Sequence, residues 1–285
     1  MTKFHIMHCI PHPRMHGLNG YMEVIESVDW GLKALGHTVT YAVNNTNTEA
    51  VNIIFGAQVL PIDFMKKLPK STIVYNFEQL RGLSKEEIRP ELHFAAANFR
   101  IWDYSDSNLE AWKLIGADEP RLVPVSYAPT LTRIPKLDVQ DIDILIYGMS
   151  GEKRLDAFHD LSHAGFVVVF VSGLYAQARD TLIARSKIVL NVNLYDFAQI
   201  FEIVRVSYLL ANKKAVVATR DSNTFVEQDI SNSIKLTTSE RLVEDCAWLL
   251  NHDIERHALE ATGYDNFSKR DICRVLRVAL SDSVV

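Results

Sequence analysis

The residues best placed for chemistry fall in two stretches of the second half of the chain. The first is Gly148-Met149-Ser150-Gly151-Glu152-Lys153-Arg154. It joins an apolar run, 143–147, to a helical pattern, 152–164. Gly148 and Gly151 free the backbone to approach a ligand closely, with Ser150 between them. The helix behind them offers unpaired N–H groups and a positive dipole end. Lys153 and Arg154 add full positive charge where the dipole alone disfavours it. A bound anion, with a diphosphate as the natural candidate, accounts for that placement. A solvated helix start with two exposed basic side chains is the plain alternative.

The second stretch is 201–217. Glu202 opens a helix, where an acidic residue suits the dipole, and could hold ribose hydroxyls. Arg205, three residues on, shares its face. The alternative is a surface Glu–Arg pair worth about a few tenths of a kcal/mol. Between the two stretches, Asn191 and Asn193 close a strand with two amides, and Tyr175 follows the Ser172-Gly173 turn. Asn193 could bond a sugar or base, or satisfy its own loop. Tyr175 could frame a nucleobase, or fill the core.

The first half offers candidate proton acceptors. The loop 11–20 carries His12, Arg14, His16 and Asn19, and His16, beside Gly17, is the first choice for a base or sugar contact. Glu78 follows a strand, and a carboxylate there could serve as base. Asp103 has a similar place, or acts as a turn residue.

Short β-branched runs alternating with longer amphipathic ones position these residues, which is the pattern of βαβ units around parallel sheets. Strands are expected at 4–10, 38–43, 51–55, 72–76, 100–104 and 121–125, then at 143–147, 167–171, 188–191 and 215–218. Helices are expected at 21–35, 84–98 (interrupted by Pro90), 105–116, 152–164, 176–185 and 201–211. The tail, 240–280, reads as helical with breaks at 251–252 and near Gly263. The period weakens between 126 and 140, around Pro129 and Pro135. This places a first lobe at 1–125, a linker at 126–140 and a second lobe with a helical tail at 141–285. In open parallel sheets, ligands sit beyond the C-terminal strand ends, and that rule selects the candidate loops above.

Composition removes other classes. The chain has 285 residues and a net charge of −5, with no Lys/Arg-rich run, so duplex nucleic acid is not the expected partner. Cys9, Cys246 and Cys273 are scattered, which argues against a zinc site or disulfide framework. No window reaches the ~18–20 apolar residues of a membrane span and no signal-peptide pattern opens the chain. A cytoplasmic protein is expected, with peripheral membrane contact left open. The first strand runs into Pro11-His12-Pro13, and neither GxGxxG nor GxxxxGK[ST] occurs, so dinucleotide and P-loop chemistry lose their main support.

Taken in order, the 143–148 strand, the Gly148…Lys153-Arg154 turn and the Phe201-Glu202…Arg205…Val217 unit resemble the C-terminal half of GT-B-fold glycosyltransferases, in particular a group of small bacterial glycosyltransferase-like proteins. The resemblance extends to 75–79, 102–105 and 195–217. It implies an α/β chain of two Rossmann-like, doubly wound lobes facing a cleft. The implied reaction transfers a sugar from a nucleoside-diphosphate sugar to an acceptor hydroxyl, without metal or cofactor. It assigns the donor diphosphate to Lys153 and Arg154 and the acceptor side to the first lobe. The family's common retaining pattern carries a ribose-holding Glu at the place of Tyr208, and a Gly at the place of Lys213. Glu202 is the candidate substitute. Asp141-Ile142-Asp143 resembles the metal-binding Asp-x-Asp of another glycosyltransferase fold, but stands at a strand entry and reads as solvated. A non-catalytic nucleotide-sugar-binding or scaffold protein, and a nucleotide-sugar epimerase, are the competing readings.

Overall fold

A computed structural model describes residues 1–10, 12, 16–194 and 199–281; for 16–18 it describes the backbone alone. Contacts divide the chain into two units, 1–128 with 271–285, and 129–270.

The first unit begins with β1 (Lys3–His8), a 3-10 turn (His16–Tyr21) and α1 (Met22–Ala34), followed by β2 (Thr38–Val43) and β3 (Val51–Phe55). Next come α2 (Ile62–Met65), β4 (Ile73–Asn76), α3 (Pro90–Asn98), β5 (Arg100–Asp103), α4 (Leu109–Leu114) and β6 (Arg121–Leu122). The strands form one parallel sheet in the order β2-β1-β3-β4-β5-β6. Central strands are covered on both faces and so read as unbroken apolar runs, whereas the edge strand β2 is mostly exposed. On one face, Met7, Ile54, Val74 and Ile101 join Leu92, Ala95 and Trp112 in a single buried cluster. Each such aliphatic side chain contributes roughly 1.5–3 kcal/mol by leaving water.

The second unit holds β7 (Ile142–Tyr147), α5 (Glu152–His163), β8 (Val168–Val171), α6 (Ala176–Arg185) and β9 (Ser186–Asn191). It continues with α7 (Ile203–Ala211), β10 (Ala215–Thr219), α8 (Gln228–Ser231), β11 (Lys235–Thr237), α9 (Leu242–Asn251) and α10 (Asp253–Ser268). Its strands form a second parallel sheet, β11-β10-β9-β7-β8. Ile144, Ile146, Ile188 and Leu190 cluster with Ala157 and Leu161 of α5 and with Cys246 and Leu249 of α9.

The expected tail of the second lobe is divided differently. Its last helix, α11 (Ile272–Leu280), belongs to the first unit. Gly31 of α1 makes this possible, because a Cβ there would lie 2.8 Å from Leu276 and 2.9 Å from Ile272. Ile272 N–H also donates to the Tyr127 carbonyl at 3.1 Å, and the Arg121 guanidinium to the Ala279 carbonyl at 2.8 Å. The expected linker shrinks accordingly to the 128/129 boundary. Pro90 starts α3 rather than interrupting a longer helix, because proline is suited to the first helical position. α10 runs unbroken through Gly263, where Leu210 and the Ser233 carbonyl press close. The short strand β11 had no sequence signal. Among the described residues, no helix is long and apolar enough to cross a membrane.

Candidate functional site

In the second sheet, β7 lies between β8 and β9, so the chain leaves it in two directions. This is a topological switch point, where open sheets of this kind form their ligand crevice, outside the C-terminal ends of β7 and β9. Tyr147 and Gly148 end one wall. Asn191, Val192 and Asn193 end the other, and α7 brings Glu202 and Arg205.

Gly148 has φ +126°, a conformation that strains any side chain. It is also a matter of space. A Cβ on Gly148 would lie 2.7 Å from Arg205 Nη2 and 2.9 Å from Arg154 Nη1. Two guanidinium groups therefore converge on the bare face of the turn. Behind it, α5 is capped by Gly151, which has no side chain to satisfy the first amides.

The guanidiniums are held by one carboxylate. Arg154, 1% exposed, donates from Nη2 to both Glu202 oxygens at 2.9 and 3.1 Å. It also donates from Nε to the Val192 carbonyl and from Nη1 to the Met149 carbonyl, each at 2.8 Å. Arg205 Nη1 lies 2.5 Å from Glu202 Oε2 and donates to Asn191 Oδ1 at 2.8 Å. Its guanidinium sits 5.3 Å from the Tyr147 ring centre. These three side chains, Arg154, Arg205 and Glu202, together carry a net positive charge in a largely dry setting, where electrostatic attraction for an anion is stronger than in water. Lys153 stands on the same edge, 3.2 Å from Asp221.

Two amides point to a polar ligand. Asn191 and Asn193 are 0% and 1% exposed, yet Asn191 Nδ2 and both amide atoms of Asn193 have no hydrogen-bond partner. Buried polar groups are almost always bonded, and each one left unpaired costs about 1–3 kcal/mol. A ligand offering donors and acceptors in the crevice would remove that cost.

No family model and no curated protein matches the sequence. Solved structures do match the fold. Anabaena HepE in complex with UDP and glucose aligns over 100% of both chains at 11% identity, with a TM-score of 0.68. Sucrose-phosphate synthase from Thermosynechococcus elongatus aligns over 99% of this chain and 98% of that one, at 9% identity and a TM-score of 0.63. AviGT4, a glycosyltransferase of avilamycin A biosynthesis, aligns over 99% and 96%, at 13% identity and a TM-score of 0.61. The fold is that of the GT-B glycosyltransferases.

Within this GT-B fold, the expected donor residues Gly148, Arg154, Asn193, Glu202 and Arg205 gather at one crevice, with Lys153 and exposed Ser150 on its α5 side. Two of them differ from expectation. Arg154 is not an exposed cation, because it sits on the inner face of α5 with Ala157 and Leu161. Glu202 is neither free for a ribose nor half of a surface pair, since it is clamped between two arginines and is 21% exposed. Tyr175, half-buried, caps α6 beyond the end of the edge strand β8.

Tyr208, at the family's acidic place, is 1% exposed. Its hydroxyl donates to Asp180 Oδ2 at 2.7 Å and accepts from Arg133 Nε at 2.9 Å, while Arg179 lies 4.6 Å from its ring centre. Burial, then the bond to Asp180, raise its pKa above the ordinary tyrosine value. The side chain ties α6 to α7 instead of facing a ligand. Sequence reasoning missed Tyr147, Asp180 and Asp221. Tyr147 was concealed as the last residue of an apolar strand, although its place at the C-terminal end marks it.

In the first unit, Glu78 follows β4 and accepts from Gln58 Nε2 at 2.7 Å and from the Tyr21 hydroxyl at 3.4 Å. His16 begins the 3-10 turn, but its side chain lies outside the described residues, as does all of Arg14. Asp103 is a buried hub that accepts from Asn76, Asn108, Trp112 and the Ser105 amide. Burial outweighs those donors and pushes its carboxyl up to about 7. Among the described residues, no group of three or more His, Cys, Asp or Glu is arranged to hold a metal ion.

Proposed function

We propose that this protein is a glycosyltransferase that holds a nucleoside-diphosphate sugar at the β7/β9 crevice and transfers the sugar to an acceptor hydroxyl. The observation that carries the reading is the convergence of Arg154 and Arg205 on Gly148, with Glu202 bridging the two guanidinium groups. Solved HepE structures contain UDP, one of them with glucose, which supports a nucleotide sugar as donor.

In this reading, Arg205, Lys153 and the first amides of α5 bind the pyrophosphate. They stabilise the charge that grows on it as the bond to the sugar's anomeric carbon breaks. The acceptor oxygen forms the new bond to that carbon, and its proton passes to a base. Glu78 is the proposed base, held by Gln58 and Tyr21. Glu202 and Arg154 act as positioning residues that aim Arg205. Asn191, Asn193 and Tyr175 contact the sugar or nucleoside. The reaction is proposed to need neither metal nor cofactor.

The test is release of nucleoside diphosphate from a panel of nucleotide sugars, first ranked by thermal shift. Arg205→Ala should lower kcat/KM for the best donor by about 10²-fold, the usual loss for one charge-stabilising donor. Equal turnover by the variant contradicts the assignment. A second reading, binding without turnover, is favoured by the locked Tyr208, and a donor that binds tightly but is never cleaved would establish it.

A further inference from the structure

The opposite edge of the second sheet carries its own cavity, of about 280 Å³, where β9 and β10 begin and α7 ends. Lys136, Lys213 and Lys214 line it together with exposed His257. The one carboxylate among its lining residues is Glu260.

These charges are unequal in their partners. Glu260 is 5% exposed and lies 3.4 Å from Lys136. Lys214 is 6% exposed and donates to the Ser186 carbonyl at 2.7 Å. An ammonium has three hydrogens to place, and among the described residues no carboxylate stands within ion-pair distance of Lys214. Burial lowers its pKa to about 8, which leaves it charged at neutral pH. Lys213 occupies the residue after the α7 cap with φ +53°, a place usually given to glycine. Its ammonium lies 4.6 Å from the Tyr264 ring centre. The negative end of the α7 dipole offsets part of this charge. Burial, with the neighbouring Lys136 and Arg256, outweighs the longer-range attraction of Glu260 for Lys214. Three lysines thus face one carboxylate in a recess, and a partly desolvated excess of positive charge is unfavourable.

We infer that this cavity binds a small phosphate-bearing anion, at a site separate from the β7/β9 crevice. Lysines suit a phosphate because each acts as a point charge on a group with several acceptor oxygens. The volume admits a phosphate or a small phosphomonoester, and Lys213 and Lys136 reach it from exposed positions. The inference does not depend on the donor reading, since none of these residues belongs to the crevice.

The experiment is calorimetric titration with inorganic phosphate and with glycerol 3-phosphate at constant ionic strength. The proteins are the wild type, the Lys136→Ala/Lys213→Gly double variant and Arg205→Ala. Binding of one phosphate should weaken at least 10-fold in the double variant and persist in Arg205→Ala. Without ligand, glycine at 213 relieves the positive φ while Lys136→Ala removes a partner of buried Glu260. A cooperative melt of the double variant well above the titration temperature shows that lost binding is not lost folding. Tighter binding of glycerol 3-phosphate identifies a phosphomonoester as the ligand, and equal binding identifies the free ion. Absence of phosphate binding, unchanged affinity in the double variant, or loss in Arg205→Ala alone would each overturn the inference.

Discussion

The two units share a strand order and differ in what they place at its switch point. In each, the second strand lies outside the first, and the third begins the other half: β2-β1-β3 in one and β8-β7-β9 in the other. In the first unit, the residues near this edge are mainly aromatic. Phe77 stacks on Phe55 and Tyr104, Tyr21 lies against Phe77, and Glu78 is the carboxylate among them. In the second unit the same edge holds two arginines, a glutamate and two buried amides with unpaired atoms. One topology thus presents a ring-lined surface with a candidate base and, separately, an electropositive crevice. Topology fixes where a site can lie, and the side chains decide its chemistry.

The sharpest way to break this comparison is to remove the charge that organises the second edge. Arg154→Ala leaves Glu202 with a single arginine and empties a buried site. It should destabilise the second unit by about 3–5 kcal/mol in urea unfolding. A loss below ~1 kcal/mol would mean that Arg154 is not integral to the turn.

The units should also differ in their response to pH. The folded Asp103 carboxyl is raised, so its contribution is fully present below about 4 and is lost as pH rises through about 7. The folded Lys214 ammonium is depressed, so the second unit gains stability as pH rises from about 8 towards the ordinary lysine value. The Lys214 gain is at most about 3–4 kcal/mol, a shift of roughly two and a half pH units at about 1.36 kcal/mol each. Hydrogen exchange resolved by unit should show the first weakening from pH 4 to 7 and the second strengthening above pH 8, with Lys214→Met abolishing the latter. Parallel pH profiles in the two units would contradict this.

Smaller effects sharpen the division of labour. Glu78→Gln should lower turnover by about 10²-fold, in the range of a lost general base, with little change in stability. Tyr208→Phe removes one buried hydroxyl between Asp180 and Arg133 and should cost about 1–2 kcal/mol in urea unfolding, without a direct effect on nucleotide affinity. A large affinity loss in that variant would return Tyr208 to the crevice.

Much of this was legible in the sequence, for identifiable reasons. Strands buried on both faces gave unbroken apolar runs, and the Gly148 turn declared itself by glycines beside basic residues. Glu202 and Arg205 were legible as neighbours, but not that Arg154 would reach both sides of the same carboxylate. A signal for that did exist: Arg154, Ala157 and Leu161 fall at i, i+3 and i+7, which puts the arginine on the buried face of α5. The return of α11 to the first unit was not legible, because it depends on the close approach that Gly31 permits between distant helices. The paired state of Tyr208 was hidden for a similar reason, since Asp180 and Arg133 come from separate segments.

The most direct measurement is calorimetric titration of UDP into the wild type, Arg205→Ala and Glu78→Gln. The account predicts a single site whose affinity falls by at least about 10-fold in Arg205→Ala, the loss of one charged hydrogen bond, and stays unchanged in Glu78→Gln. Affinity lost in Glu78→Gln but retained in Arg205→Ala would place the nucleotide on the first unit and contradict the account.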